Sequence, residues 1–106
     1  MNWFKQLRAK RIASNKHALI EYLEIQGFTD DVYGRFYKKL NDSLRILITF
    51  KGSVFEIEVS NTTNEEPDSW TTDVPYGDLS LSGLSAESLI RNSVMDAVNS
   101  HLFDNI

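Results

Sequence analysis

Apolar and polar residues alternate over two adjacent stretches of the chain, and the alternation predicts a β-hairpin. In Leu44–Phe50 the even positions Leu44, Ile46, Ile48 and Phe50 are apolar. In Val54–Ser60 the odd positions Phe55, Ile57 and Val59 are apolar, with Glu56 and Glu58 between them. Residues opposed across an antiparallel pair share a face, so the two stripes can meet only if paired residue numbers have an odd sum. Phe50 then faces Phe55, Ile48 faces Ile57, and the loop shrinks to Gly52-Ser53, where a leading glycine suits a type II′ turn. A slip of one residue would set Ile48 against Glu56 and bury a carboxylate.

An earlier strand, about Gly34–Leu40, joins through Asn41-Asp42-Ser43 and is expected to place Phe36 and Leu40 on the core face. A further strand is expected over Ser69–Val74. Pro75-Tyr76-Gly77-Asp78 is turn chemistry, and Leu79 with Leu81 suggests a short edge strand. Helical spacing marks the two ends of the chain. Trp3 to Gln26 reads as helix in two pieces: Trp3, Phe4 and Leu7 share one face, whereas Leu19, Tyr22 and Leu23 lie at another angular phase. Ser14 and Asn15 fall at the change of phase, where they would cap the second piece. Gly27 is a helix stop, and Phe28 to Asp31 reads as a turn. The last helix has Ser85 as its cap, Glu87 in its first turn and Leu84 positioned to staple onto Leu89. Its apolar stripe runs through Leu89, Ile90, Val94, Ala97, Val98 and Leu102. The predicted class is α+β: an N-terminal helix, an antiparallel sheet of three to five strands and a C-terminal helix, with the helices on one sheet face.

The 106 residues suit one domain with a single core, and 42% hydrophobic content lies in the globular range. With no cysteine, disulfides, thiolate metal ligands and a cysteine nucleophile are excluded. No apolar run reaches the roughly 18 residues of a membrane span, so a cytoplasmic location is the default expectation.

Charge changes the picture more than composition does. Residues 1–51 carry ten of the eleven Lys/Arg and five Asp/Glu; residues 52–106 carry Arg91 alone against ten acids. No basic residue occurs between Gly52 and Ile90. The acidic stretch Asn61–Asp78 contains Glu65, Glu66, Asp68, Asp73 and Asp78, with Trp70 and Tyr76 among them. Carboxylates orient a basic partner, and Trp and Tyr are the usual interface anchors. A row of carboxylates can also occupy a site built for phosphates. These seven residues are therefore the expected contact surface of a non-enzymatic, acidic protein-binding module. An inhibitor or immunity-type protein fits best, its expected partner a basic protein such as a nuclease or another nucleic-acid-binding protein.

The basic half supports an alternative. Arg35, Tyr37, Lys39 and Arg45, with Tyr33, lie on the outward face of the first strands, and helix one carries Lys5, Arg8, Lys10, Arg11 and Lys16 with no acid before Glu21. Aromatic rings among cations on a sheet can stack bases and neutralise phosphates, although Glu56 and Glu58 share that face. Pairing of the oppositely charged halves between two copies would make a homodimer. Trp3, Phe4 and Leu7 among lysines and arginines have the form of an interfacial helix, with docking on the sheet or on a second protomer the expected use. Catalysis is not expected. His17 and His101 sit on different helices, His101 beside the apolar stripe, and phosphate loop, nucleophile elbow and metal-binding histidine pair are all missing. The carboxylates of Asp30-Asp31 and Glu65-Glu66-x-Asp68 lack the alternating oxygen ligands of a calcium loop, so no metal or cofactor is expected either.

Overall fold

A computed structural model describes residues 3–31, 34–61, 69–79 and 85–104, with side chains as far as 101. Five strands form one antiparallel meander in sequence order: β1 (Thr29–Asp30), β2 (Arg35–Lys39), β3 (Leu44–Lys51), β4 (Val54–Asn61) and β5 (Ser69–Pro75). Helix α1 (Trp3–Ile25) precedes the sheet and α2 (Ala86–Asp104) follows it. The α+β arrangement expected from the sequence is the one found.

The β3–β4 hairpin has the register that parity demands, with Ile48 opposite Ile57 and Phe50 opposite Phe55. Gly52 has φ +62°, and no described residue other than glycine has positive φ. That sign pattern is the II′ turn, with glycine first and serine second. Buried strand residues then fall on one side: Phe36 from β2, Leu44, Ile46 and Ile48 from β3, and Phe55, Ile57 and Val59 from β4. Leu19 and Leu23 of α1 and Ile90 and Ala97 of α2 join the same cluster, so both helices cover that face of the sheet. In α2, Ser85 Oγ accepts the Ser88 amide at 3.1 Å, and Glu87 pairs with Arg91 at 2.7 Å, as a capped first turn requires. Leu84, Leu81 and the side chain of Leu102 lie outside the described residues.

Four expectations are corrected. Helix α1 is continuous over 23 residues and does not break at Ser14 or Asn15. Asn15, inside the helix and 5% exposed, does not turn back to cap it. Its Nδ2 donates to the carbonyl oxygens of Tyr76 at 3.1 Å and Gly77 at 3.2 Å. The two apolar phases belong to one helix that uses two sides. At about 100° per residue, Ile12, Asn15, Leu19 and Leu23 point to the sheet, whereas Trp3, Phe4 and Leu7 point roughly 110° away and stay exposed.

The second correction concerns Phe28–Asp31, which is not simply a turn. Gly27, with φ +86°, ends α1 in a Schellman motif: Phe28 N–H donates to Leu23 O and Gly27 N–H to Glu24 O. The chain leaves it extended, and Thr29 and Asp30 pair with Tyr37 and Phe36 as β1. Third, Leu40 falls just past β2 and is 40% exposed, because the core ends at Phe36 on that strand. Fourth, Leu79 does not begin an edge strand. Its backbone is helical and its side chain buried, and among the described residues β5 is the edge strand beside β4.

Candidate interaction surface

Because both helices lie on one face, no described element covers the other face of the sheet, and the side chains on it are set by strand parity. On β2 they are Arg35, Tyr37 and Lys39; on β3, Arg45, Leu47, Thr49 and Lys51; on β4, Val54, Glu56, Glu58 and Ser60; on β5, Ser69, Thr71, Asp73 and Pro75. Register arranges them in rows across the strands. One row reads Lys39, Arg45, Ser60, Ser69; the next Tyr37, Leu47, Glu58, Thr71; the third Arg35, Thr49, Glu56, Asp73. Cations gather on β2 and β3 and carboxylates on β4 and β5. The charge asymmetry of the sequence becomes two poles on one flat surface.

The acidic pole is compact. Glu56 stands directly opposite Asp73, and Glu58 is two residues along the same face. Opposed like charges destabilise a strand pair unless something neutralises them, and here Lys51 does so from the hairpin end, at 2.6 Å from Glu56. The hydrogen bond to Glu56 lifts the Lys51 pKa above its ordinary value against some desolvation, and the negative charges of Glu56 and Asp73 add to the rise. Glu58 and Asp73 have no ion-pair partner among the described residues.

The basic pole is partly neutralised. Arg35 Nε pairs with Asp31 at 2.7 Å, and Lys39 approaches Asp42 only to 4.0 Å. Arg45, directly opposite Lys39, makes no ion pair with a described residue. Asp31, Arg35, Tyr37, Arg45 and Leu47 line a shallow concavity of about 180 Å³ on this half. The four residues expected for nucleic acid, Arg35, Tyr37, Lys39 and Arg45, do come together on one open face.

Of the seven residues expected to hold a protein partner, the four that are described do not form one patch. Glu65, Glu66 and Asp68 lie outside the described residues, as does Tyr33 on the basic side. Asp73 is exposed at the acidic pole. Asp78 is exposed at the helix side and meets Arg11 at 3.4 Å. Trp70 points inward opposite Val59 and packs half-buried against the core.

Tyr76 is 1% exposed and cannot anchor a partner in the folded protein. Its ring lies 5.6 Å from Phe50 and 6.1 Å from Phe55, and its hydroxyl donates to Gly52 O at 2.5 Å. Its N–H donates to Ser53 O, and its own carbonyl accepts from Asn15. Tyr76 is thus a rivet joining the hairpin turn, the segment after β5 and α1. Burial pushes its phenol pKa above the usual 10.0.

Sequence reading passed over the pairing of Asp73 with Glu56. Both residues are visible as outward positions of their strands, but the segment between the strands hides the register. Of the histidines, His17 is exposed on α1 and His101 buried on α2. Among the described residues no three His, Asp or Glu side chains group as a metal site, and no helix is long and apolar enough to cross a membrane. No protein-family model matches the chain, and neither a curated protein nor a solved structure shows significant similarity to it.

Proposed function

We propose that the chain is a non-enzymatic protein-binding module that takes a basic partner on the acidic pole of its open sheet face, through Glu56, Glu58 and Asp73. The observation that carries this reading is the placement of Glu56 opposite Asp73, with Glu58 two residues along the same face and Lys51 paired to Glu56 as the near countercharge. Such a cluster lowers its own repulsion when an outside cation joins it, so it favours a basic ligand on electrostatic grounds alone. A sheet face also has a rigid backbone, so little backbone freedom is lost when a partner docks against it. In this reading the contact residues differ from an acidic aromatic loop: Asp73 is retained, Glu56 and Glu58 are added, and Trp70 and Tyr76 hold the fold. Inhibition of the partner, as by an immunity-type protein, is the corresponding biological role.

An arginine-rich peptide titrated at low salt tests the surface. Glu58→Lys/Asp73→Lys is expected to weaken binding about tenfold or more, the equivalent of about 1.4 kcal/mol. Glu21→Lys/Asp96→Lys changes net charge equally on exposed helix positions and is expected to leave most of the affinity. Equal losses in both variants would reduce the effect to net charge and remove the pole from the account.

A second reading rests on the concavity between Arg35, Tyr37 and Arg45, with Lys39 beside it: two guanidinium groups and a phenol are suited to a phosphate and a base. It expects a gel shift with single-stranded RNA or DNA at low salt, abolished by Lys39→Glu/Arg45→Glu. Absence of any shift at low salt excludes it.

A further inference from the structure

The least explained surface on the molecule is at the start of α1. Trp3 is 57% exposed, Phe4 69% and Leu7 46%, and the rings of Trp3 and Phe4 meet edge to face at 4.9 Å. Two aromatic rings in contact and Leu7 one turn along the same side of the helix, none of them among the residues packed on the core, form a patch of the kind that marks an interaction site. Helix α1 needs none of them for its packing, which is carried by Ile12, Leu19, Ile20, Tyr22 and Leu23.

The surroundings of the patch say what covers it. At about 100° per residue, Trp3, Leu7 and Phe4 occupy an arc roughly 100° wide, with Lys10 next to it on the Trp3 side and Arg8 next to it on the Phe4 side. Arg11, one turn on in the same sector, folds its guanidinium away onto Gly77 O at 3.1 Å. An apolar arc with a cation on each flank is the arrangement of a helix lying in a membrane interface, its aromatic rings at headgroup depth and its charged side chains reaching out to phosphates. No carboxylate occurs in the chain before Glu21. A second copy laid on this patch about a two-fold axis would bring two sets of lysines and arginines together, so charge disfavours self-association there. The acidic strands β4 and β5 carry their carboxylates on the far side of the sheet from α1, and on the helix side Asp78 is held against Arg11 at 3.4 Å.

We infer that the first two turns of α1 are a docking site for an anionic lipid surface, with Trp3, Phe4 and Leu7 entering the interface and the flanking Arg8 and Lys10 engaging headgroup phosphates. The site is separate from the sheet face and does not depend on its function. Two or three apolar side chains give reversible binding that needs the anionic charge as its second signal.

The chain has two tryptophans, so Trp70→Phe leaves Trp3 as the single indole reporter. Titrated with phosphatidylcholine vesicles rich in phosphatidylserine at low salt, this variant should co-sediment with them and shift its emission to the blue. Pure phosphatidylcholine vesicles should give neither effect. Phe4→Ala/Leu7→Ala should weaken vesicle binding about tenfold or more with an unchanged circular dichroism spectrum, because neither side chain is buried. Arg8→Glu/Lys10→Glu should abolish it. Equal binding to uncharged vesicles, no binding to charged ones, or binding indifferent to Phe4→Ala/Leu7→Ala would overturn the inference. So would a dimer in sedimentation equilibrium that Trp3→Ala dissociates, or a Trp3 signal that answers to RNA but to neither vesicle.

Discussion

Tyr76→Ala is expected to lower stability by about 3–5 kcal/mol, as removal of a large buried ring does. Three losses combine. The ring leaves a cavity beside Phe50 and Phe55, Gly52 O loses its hydroxyl donor, and the anchor that fixes the segment after β5 to the hairpin turn disappears. A domain of this size holds about 5–15 kcal/mol in total, so the variant should melt well below the wild type or fail to fold. Tyr76→Phe keeps the ring and is expected to lose only about 1 kcal/mol, the net worth of one hydrogen bond.

The same pair of proteins has an alkaline signature. Because burial raises the Tyr76 pKa in the folded state, the unfolded chain releases that proton first. The stability that Tyr76 contributes is complete below pH 10.0, the ordinary phenol value, and is lost as pH rises through the higher folded value. Denaturant midpoints measured on either side of that pH should fall more steeply for the wild type than for Tyr76→Phe. Parallel curves would mean that the hydroxyl is not enclosed as described.

Ile48→Lys is expected to leave no cooperatively folded protein, whereas Leu47→Lys, one residue away on the same strand, is expected to stay within about 1 kcal/mol of the wild type. Ile48 is wholly buried at the centre of the sheet, between Phe36 and Ile57. An ammonium there loses hydration that no carboxylate replaces, and the apolar contacts of Ile48 are lost as well. Leu47 faces outward between Tyr37 and Glu58, where a lysine finds water and a carboxylate. Urea denaturation followed by circular dichroism distinguishes the two. Cooperative unfolding of Ile48→Lys at a near-normal midpoint would contradict the assignment of the sheet's faces, and with it the open surface on which the acidic and basic poles lie.

What proved legible in the sequence depends on how far apart the deciding residues are. The hairpin register follows from the parity of two neighbouring apolar stripes, because side chains on a strand repeat every second residue whatever surrounds them. Gly27 ends α1 and Ser85 begins α2 through hydrogen bonds within a turn of each residue, so the helix ends were also local matters. The outward placement of Arg35, Tyr37, Lys39 and Arg45 is of the same kind, a consequence of alternation alone.

Asn15 marks the other limit. Helix-capping chemistry suggested a break, yet its amide is used by carbonyls more than sixty residues away, at Tyr76 and Gly77, and no local rule contains that partner. Trp70 and Tyr76 read as interface anchors because an aromatic ring among carboxylates looks the same in sequence whether it faces a partner or its own core. Only the packing of β5 against β4, and of the following segment against the hairpin turn, directs them inward.

The chain by itself determined an α+β order, a hairpin in one register and a separation of charge between its two halves, since each is written in short-range periodicity or in composition. Tertiary structure decided that α1 runs unbroken, that Tyr76 is a rivet, and that Asp73 stands against Glu56 while Trp3, Phe4 and Leu7 stay outside. Each of these rests on contacts between distant segments, whose meeting is set by the burial of the whole core and not by any neighbourhood along the backbone.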